Sequence, residues 1–479
     1  MGFKVAAKMT HHNATRPPDR ELTRRSSPRS RPNIRNFVSV TGAYAYIIPI
    51  ANAPTSFRML QGHGQLFLQI YDARSVPCDN LGRAARPDHR SNFRAIHSYR
   101  TLQTYRMSIG HLIVKPATKS QARQVIIRNA GHWGAKVQMS VDDFVKLSQV
   151  FQQGPYASDG KLTIWVLVPE DDPDTIDFYA SCQILSRQVL TLRTGQSSPE
   201  LSFGHAVSSV LVLPEYRGKG YAGRFMSLLH SALAPHRYPN PLKAPVATER
   251  ASTVSVLYSA VGDYYARCVP SEGETGWTLQ KSFVTTWPVS AIQVPAPKEN
   301  FPPVEFLSES EVTATLDSDD SNIAGDLIEL QKKDPTKTYF AFTTTSSLNA
   351  VSATISKLSP GCPSNSSWGA KIPGTSDFMT WAFFRRPGLT LAITRLRAST
   401  DSFPVLLDAA LRTAQETKSE HIEIWNVPEH LKEMALATGG ETVERPDNRS
   451  AFKWYGQPSE AKLDNTDVVW ALDERYGWC

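Results

Sequence analysis

Val207-Ser-Ser-Val-Leu-Val-Leu-Pro-Glu-Tyr-Arg-Gly-Lys-Gly-Tyr-Ala-Gly-Arg-Phe-Met-Ser-Leu-Leu-His230 is the stretch on which the fold turns. Val207–Leu213 is a β-rich run that stops at Pro214. Tyr221–Ala234 predicts a helix whose Phe225, Leu228 and Leu229 form the packing face. Between them, Gly218 and Gly220 permit positive φ and a close approach of the backbone to a ligand. Amides at a helix start have no partner within the helix, and the helix dipole favours negative charge there. Such a strand–turn–helix is an anion site suited to a diphosphate. Arg217 and Lys219 add charge.

Gly218, Gly220 and Gly223 also fit the G-x-G-x-x-G spacing of dinucleotide-binding folds. That fold needs the strand to run almost directly into the first glycine, and an acid ending the next strand about 20 residues on. Here Pro-Glu-Tyr-Arg intervenes, and the proline-rich run from Pro239 to Pro245 occupies the later position. The plain alternative is an ordinary strand–helix turn with chance glycines, since R-x-x-G-x-[GA] alone is a weak pattern.

Working outward, Val254–Ser259 reads as a strand and Gly262–Cys268 as a short helix, with Trp277–Ser282 and Thr285–Val294 closing. Upstream, Leu112–Val114 is a strand, Gln121–Ala130 a helix, and Ser140 caps another helix. Leu162–Val168 and Phe178–Leu185 flank an acidic hairpin turn, and Gln188–Arg193 adds a short strand. Beyond a proline-rich linker at 295–303, candidate strands are Thr338–Phe342, Phe378–Phe384, Leu389–Leu396 and His421–Trp425, and candidate helices Phe403–Lys418 and Pro428–Thr438. No internal repeat is evident. The expected organisation is a leader (1–106), a first α/β body (107–294), the linker (295–303) and a smaller α/β body (304–479).

Charge is uneven. Residues 1–106 hold 17 Lys+Arg against 5 Asp+Glu, so of the chain's 52 basic and 45 acidic residues the remainder keeps 35 and 40. The basic character belongs to the leader, which argues against a nucleic-acid role for the body. The Arg-, Ser- and Pro-rich leader reads as a disordered tail, an organelle-targeting sequence or an extension upstream of a start at Met107; prolines 17, 18, 28 and 32 oppose an amphipathic targeting helix. Its patches Tyr44–Ile50 and Gln65–Tyr71 look strand-like but have no evident partners. No apolar run spans a membrane, and five scattered cysteines with no CxxC pair suggest neither disulfides nor a metal.

V-x-V-x-P-E-Y-R-G-K-G-Y-A, within Val210–Ala222, is similar to motif A of the GNAT acetyltransferase superfamily. Ser255-Val-Leu-Tyr-Ser-Ala-Val-Gly-Asp-Tyr-Tyr-Ala-Arg-Cys268 with Gly276-Trp277 resembles motif B of the fungal lysine N6-acetyltransferases of lysine catabolism. Trp368-Gly369, Phe378–Trp381, Ile422–Asn426, Lys453–Gly456 and Val468–Cys479 resemble that family's C-terminal region. The resemblance covers about 107–479. It implies a mixed, largely antiparallel sheet flanked by helices, followed by a smaller α/β domain. It also implies direct acetyl transfer from acetyl-CoA to an amine, the ε-amine of free L-lysine, in the cytoplasm. Backbone groups of Val210, Leu211 and Val212 would flank the pantetheine. Amides of Arg217, Gly218, Lys219, Gly220, Tyr221 and Ala222, with Gly223 in the same turn, would hold the diphosphate, and Tyr265 would protonate the departing thiolate. Two departures stand out: Ala260 replaces an expected Asp, and Val269–Thr275 adds seven residues before Gly276, which puts the placement of Tyr265 in question. Trp381, Trp425 and Trp454 read as a second core rather than a ligand box. For a base, Glu249 and the Glu170–Asp172 turn are candidates. The rival functions are acetylation of a protein lysine or tail, and an acyl-CoA-binding module without catalysis.

Overall fold

A computed structural model of the chain describes residues 38–39, 55–62, 65–72, 109–136, 139–238, 250–294, 302–344, 347–363, 366–385 and 388–478. The chain forms two compact units, Met1–Leu102 and Gln103–Cys479. In the first, β1 (Val38–Ser39) and β2 (Thr55–Gly62) both pair antiparallel with β3 (Gln65–Asp72). The Gln65–Tyr71 patch thus has partners; Tyr44–Ile50 lies outside the described residues.

The second unit begins with β4 (Leu112–Pro116), α1 (Lys119–Asn129) and α2 (Val141–Gln153). Thr118 and Gln121 form a capping box on α1, and the Ser140 side chain accepts from the Asp143 amide on α2. Then come β5 (Leu162–Pro169), β6 (Ala180–Leu192), β7 (Glu200–Leu211), α3 (Tyr221–Leu233), β8 (Val254–Ser259), β9 (Thr278–Leu279) and β10 (Phe283–Pro288). The chain continues through β11 (Glu305–Leu307), α4 (Glu309–Lys333), β12 (Thr338–Phe342), α5 (Ser347–Leu358), β13 (Gly369–Lys371), β14 (Phe378–Arg385) and β15 (Leu389–Arg397). It closes with α6 (Phe403–Glu416), β16 (His421–Trp425), α7 (Lys432–Ala437), β17 (Glu441–Glu444), β18 (Arg449–Trp454) and β19 (Val468–Trp470).

The architecture is mixed α/β with two open, mostly antiparallel sheets flanked by helices. One sheet has nine strands, β19-β12-β6-β7-β8-β18-β9 with β5 and then β4 joined beside β6; the other runs β11-β13-β14-β15-β16-β10-β17. β6 is long enough to take β5 along its first half and β12 along its second. Strands from both sides of 295–303 share these sheets: β12, β18 and β19 stand beside β6–β8, while β10 sits between β16 and β17. A split at the linker into two self-contained bodies is therefore not what the sheets show.

Each sheet contains one βαβ unit, β7-α3-β8 and β15-α6-β16, whose strands pair in parallel. A parallel pair needs a crossover, and the amphipathic α3 and α6 supply it. This recurrence is invisible as sequence similarity. The turn before α6, residues 398–402, carries no glycine. Trp381 lies in the core of the seven-stranded sheet and Trp454 in that of the nine-stranded one, so the three tryptophans do not share a single core. Among the described residues no helix is long and apolar enough to cross a membrane.

Candidate functional site

The site begins where two parallel strands part. β7 pairs with β8 from Gly204↔Val254 to Val207↔Leu257 and no further, although β7 runs on to Leu211 and β8 to Ser259. The cause is a bulge. β7 opposes Ser181 with Leu211 and Gln183 with Ser208, so Ser209 and Val210 share one partner position, and Ser209 takes φ of 51°. A bulge bends and twists its strand, which turns Val210–Leu211 away from β8.

After β7, Pro214–Tyr216 makes a single turn of 3-10 helix. Gly218 (φ 76°) and Gly220 (φ 87°) are both left-handed, and Gly220 is the N-cap of α3. A Cβ on Gly218 would meet nothing within 4 Å, so backbone conformation, not crowding, demands glycine there. The Arg217 amide donates to Pro214 O at 3.2 Å, and the first bond of α3 runs from the Arg224 amide to Gly220 O. The Tyr264 hydroxyl lies beside Gly223. Between these, the amides of Gly218, Lys219, Gly220, Tyr221 and Ala222 have no acceptor among the described residues. Of the six amides expected from Arg217 to Ala222, five successive donors remain, because the Arg217 amide is engaged.

Around the loop, Arg217 Nε donates to Val212 O at 3.0 Å and braces the turn, while Lys219 Nζ stands 5.8 Å from the Tyr216 ring. Tyr179 stacks on Tyr221 at 4.5 Å. Burial, with smaller contributions from Lys136 and Arg217, holds the His132 pKa below its ordinary value. Five free amides, adjacent cations and open space over Gly218 fit a diphosphate group.

Tyr264 and Tyr265 lie on the turn after β8. Burial, helped by Cys268, Tyr264 and Cys182, pushes the Tyr265 pKa well above the ordinary phenol value. Cys182 is the β6 residue opposite the bulge, and Tyr265 packs against the same apolar cluster as Cys182. The Gly276 and Trp277 amides donate to Ala266 O (2.9 Å) and Tyr265 O (3.1 Å), closing the 269–275 insertion as a loop. A Cβ on Gly276 would lie 2.2 Å from Tyr265 O, so only glycine permits this return. Beneath it runs a buried chain. Trp277 Nε1 donates to Ser255 Oγ, Ser255 to the Tyr455 hydroxyl, and Tyr455 to His230 Nδ1, each at 2.8 Å. His230 Nε2 then donates to Cys268 O at 2.9 Å. These partners set the tautomer, and burial lowers the His230 pKa to about 3, so the ring is neutral.

Sequence reasoning missed Ser209, Cys182 and the Tyr264 hydroxyl. Only the adjacency of Tyr264 to Tyr265 gave any signal. Of the candidate bases, Glu249 lies outside the described residues, and Glu170, Asp171 and Asp172 are exposed. A separate cavity of about 340 Å³ between α4 and the β13–β14 turn contains no residue of the glycine loop. Its Asp319 is already paired with Arg395 and Arg397.

Residues 285–479 match the family model of the LYC1 GNAT-like C-terminal domain. This LYC1-like region supplies β12, β18 and β19 to the sheet that carries the glycine loop. No curated protein matches the chain in sequence. Among solved structures, the chain is similar to a GCN5-related N-acetyltransferase from Kribbella flavida (11% identity, 72% of this chain and 71% of that one, TM-score 0.42). It is likewise similar to one from Anabaena variabilis (13%, 72% and 72%, 0.41) and to Eis1 from Mycobacterium abscessus (10%, 72% and 73%, 0.38).

Proposed function

We propose that the chain is an acetyl-CoA-dependent N-acetyltransferase acting on a small amine, the ε-amine of free L-lysine, by direct transfer. The observation that carries this is the conjunction of five unpaired amides at Gly218–Ala222 with a strand pair that opens beside them after Val207 and Leu257. The similarity of 285–479 to the LYC1 GNAT-like domain and the motif-level resemblance to lysine N6-acetyltransferases support lysine as acceptor and lysine catabolism as the setting.

Acetyl-CoA, when bound, supplies an acyl group activated as a thioester. The chain does the rest. The Gly218–Ala222 amides hold the diphosphate, with Arg217 and Lys219 beside it. The backbone of Val210, Leu211 and Val212 lies along the opened edge, where an amide is placed to polarise the acyl carbonyl. The amine attacks the acyl carbon, a C–N bond forms, the C–S bond breaks, the Tyr265 hydroxyl gives its proton to the sulfur, and the proton shed by the new amide nitrogen restores the phenol. A raised phenol pKa keeps Tyr265 protonated throughout the neutral range. The ammonium must lose a proton first. With a pKa of about 10.4, only about one lysine in a thousand is neutral near pH 7.4, a cost of about 4 kcal/mol.

Purified protein, acetyl-CoA and a panel of amines, with free thiol as readout, test the proposal. Thiol release with lysine is expected. CoA binding without release for any amine would reduce the protein to a binding module; preference for a lysine-bearing peptide would move the acceptor to a protein tail.

A further inference from the structure

Arg187, on β6, is 5% exposed, yet its charge has no counter-ion among the described residues. The buried arginines elsewhere each have one: Arg395 pairs with Asp319 and Glu474, Arg445 with Asp473, Arg475 with Glu423. Arg187 Nη1 donates to Gly477 O, whereas Nε and Nη2 have no partner among the described residues. Those two nitrogens form one edge of the guanidinium, the fork that grips a carboxylate through two parallel hydrogen bonds. Leaving such an edge buried and empty is costly, because buried charges are stable only when paired.

The edge is also well placed. Side chains alternate along a strand, so Arg187 shares the sheet face of Leu185 and Val189, opposite the face that packs on α3. Its guanidinium lies 5.5 Å from the centre of the Phe342 ring. Its cross-strand partner Gly204 leaves room for that ring: a Cβ there would come within 2.9 Å of Phe342 Cε1. Gly477, which takes the Nη1 bond, abuts Tyr258; a Cβ on Gly477 would lie 2.8 Å from the Tyr258 hydroxyl. Tyr258 is the first β8 residue past the last pair with β7. Arg187 itself stands level with Gly204 and Val254, the first β7–β8 pair, and it meets Tyr258, the residue after the last pair, through Gly477. An extended lysine holds its carboxylate roughly 7 Å from its terminal amine.

We propose that Arg187 is the acceptor's carboxylate clamp, so that the preferred amine carries a carboxylate, as lysine does. This rests on the transferase reading above. The free edge is sealed from water, so an entering acceptor has to shift the Arg475–Gly477 turn that abuts it. The same chemistry could come from a carboxylate of the chain itself, and the experiment separates the two sources.

L-lysine and cadaverine, its decarboxylated counterpart, are titrated calorimetrically into the full chain and into Arg187→Leu and Arg187→Lys. The wild-type chain is expected to bind lysine at least tenfold more tightly than cadaverine. Arg187→Leu should abolish that preference, with lysine weakened about 10- to 100-fold and CoA affinity unchanged, and Arg187→Lys should restore part of it. Equal affinity for both amines in the wild type would overturn the clamp. So would a variant that weakens both ligands alike while lowering the melting temperature, since the carboxylate would then be the chain's own. Arg187-dependent lysine binding without acetyl transfer to any amine would sink the transferase reading and leave the clamp standing.

Discussion

Gly220 and Tyr265 carry different parts of the site, and replacing each should show it. Gly220 has φ of 87° at the head of α3, a conformation that side chains with a Cβ resist. Gly220→Glu adds strain and sets a carboxylate where the diphosphate would sit. Loss of CoA binding is expected by calorimetry, and retained affinity would place the nucleotide elsewhere. Tyr265→Phe removes only a hydroxyl. It should lower kcat about 100-fold with CoA affinity intact; an unchanged kcat would mean that another donor protonates the sulfur. Gly218, Gly220 and Tyr265 were legible in the sequence because glycine spacing and a motif tyrosine are local signals. Ser209 was not. Its positive φ follows from pairing with β6, and nothing in Val-Ser-Ser-Val announces a bulge.

At the scale of elements, the buried His230 chain ties α3, β8, the 264–268 turn and the stretch after β18 together. Tyr455→Phe removes the donor to His230 Nδ1 and the acceptor of Ser255. A loss of about 1–3 kcal/mol is expected in denaturant melts, and an unshifted midpoint would show the chain to be slack. His230 and His205 also predict a pH dependence. Burial lowers their pKa values to about 3 and about 4, below the ordinary 6.5. The unfolded chain therefore binds protons that the folded one refuses. Stability should be full above pH 6.5 and fall as pH drops, by up to about 1.4 kcal/mol per unit for each ring. Urea midpoints between pH 7 and 5 would reveal it, with a shallower slope in His205→Asn. A flat profile would contradict the neutral burial of both rings.

For the molecule as a whole, the sharing of strands governs what can be cut. The fragment 107–294 lacks β12, β18 and β19, so β6 loses a partner along Val189–Leu192 and β8 loses its partner opposite β7. It should give no cooperative thermal transition by circular dichroism, whereas 107–479 should. A cooperative melt of the short fragment would mean that the borrowed strands are dispensable. Composition suggested a boundary at the proline-rich linker, and the linker is real as a composition shift. Strand exchange across it is unreadable because each borrowed strand is short and meets its partner 130 or more residues away. α4 was missed for a related reason. Its inward stripe, Val312, Leu316, Asp319, Ile323 and Leu327, contains a carboxylate. Asp319 belongs inside only because Arg395 and Arg397 arrive from β15 to pair with it.

The amino-acid sequence by itself determined the strand–turn–helix from Val207 onward, the glycine positions and the candidate tyrosine, since φ preference, helix capping and apolar periodicity act over a few residues. The tertiary structure alone decided that β7 and β8 part after Val207, that Gly276 returns the inserted loop to Tyr265, and that Arg187 is left without a counter-charge among the described residues. Each of these depends on a neighbour distant along the chain, and local energetics hold no record of which distant group will stand alongside.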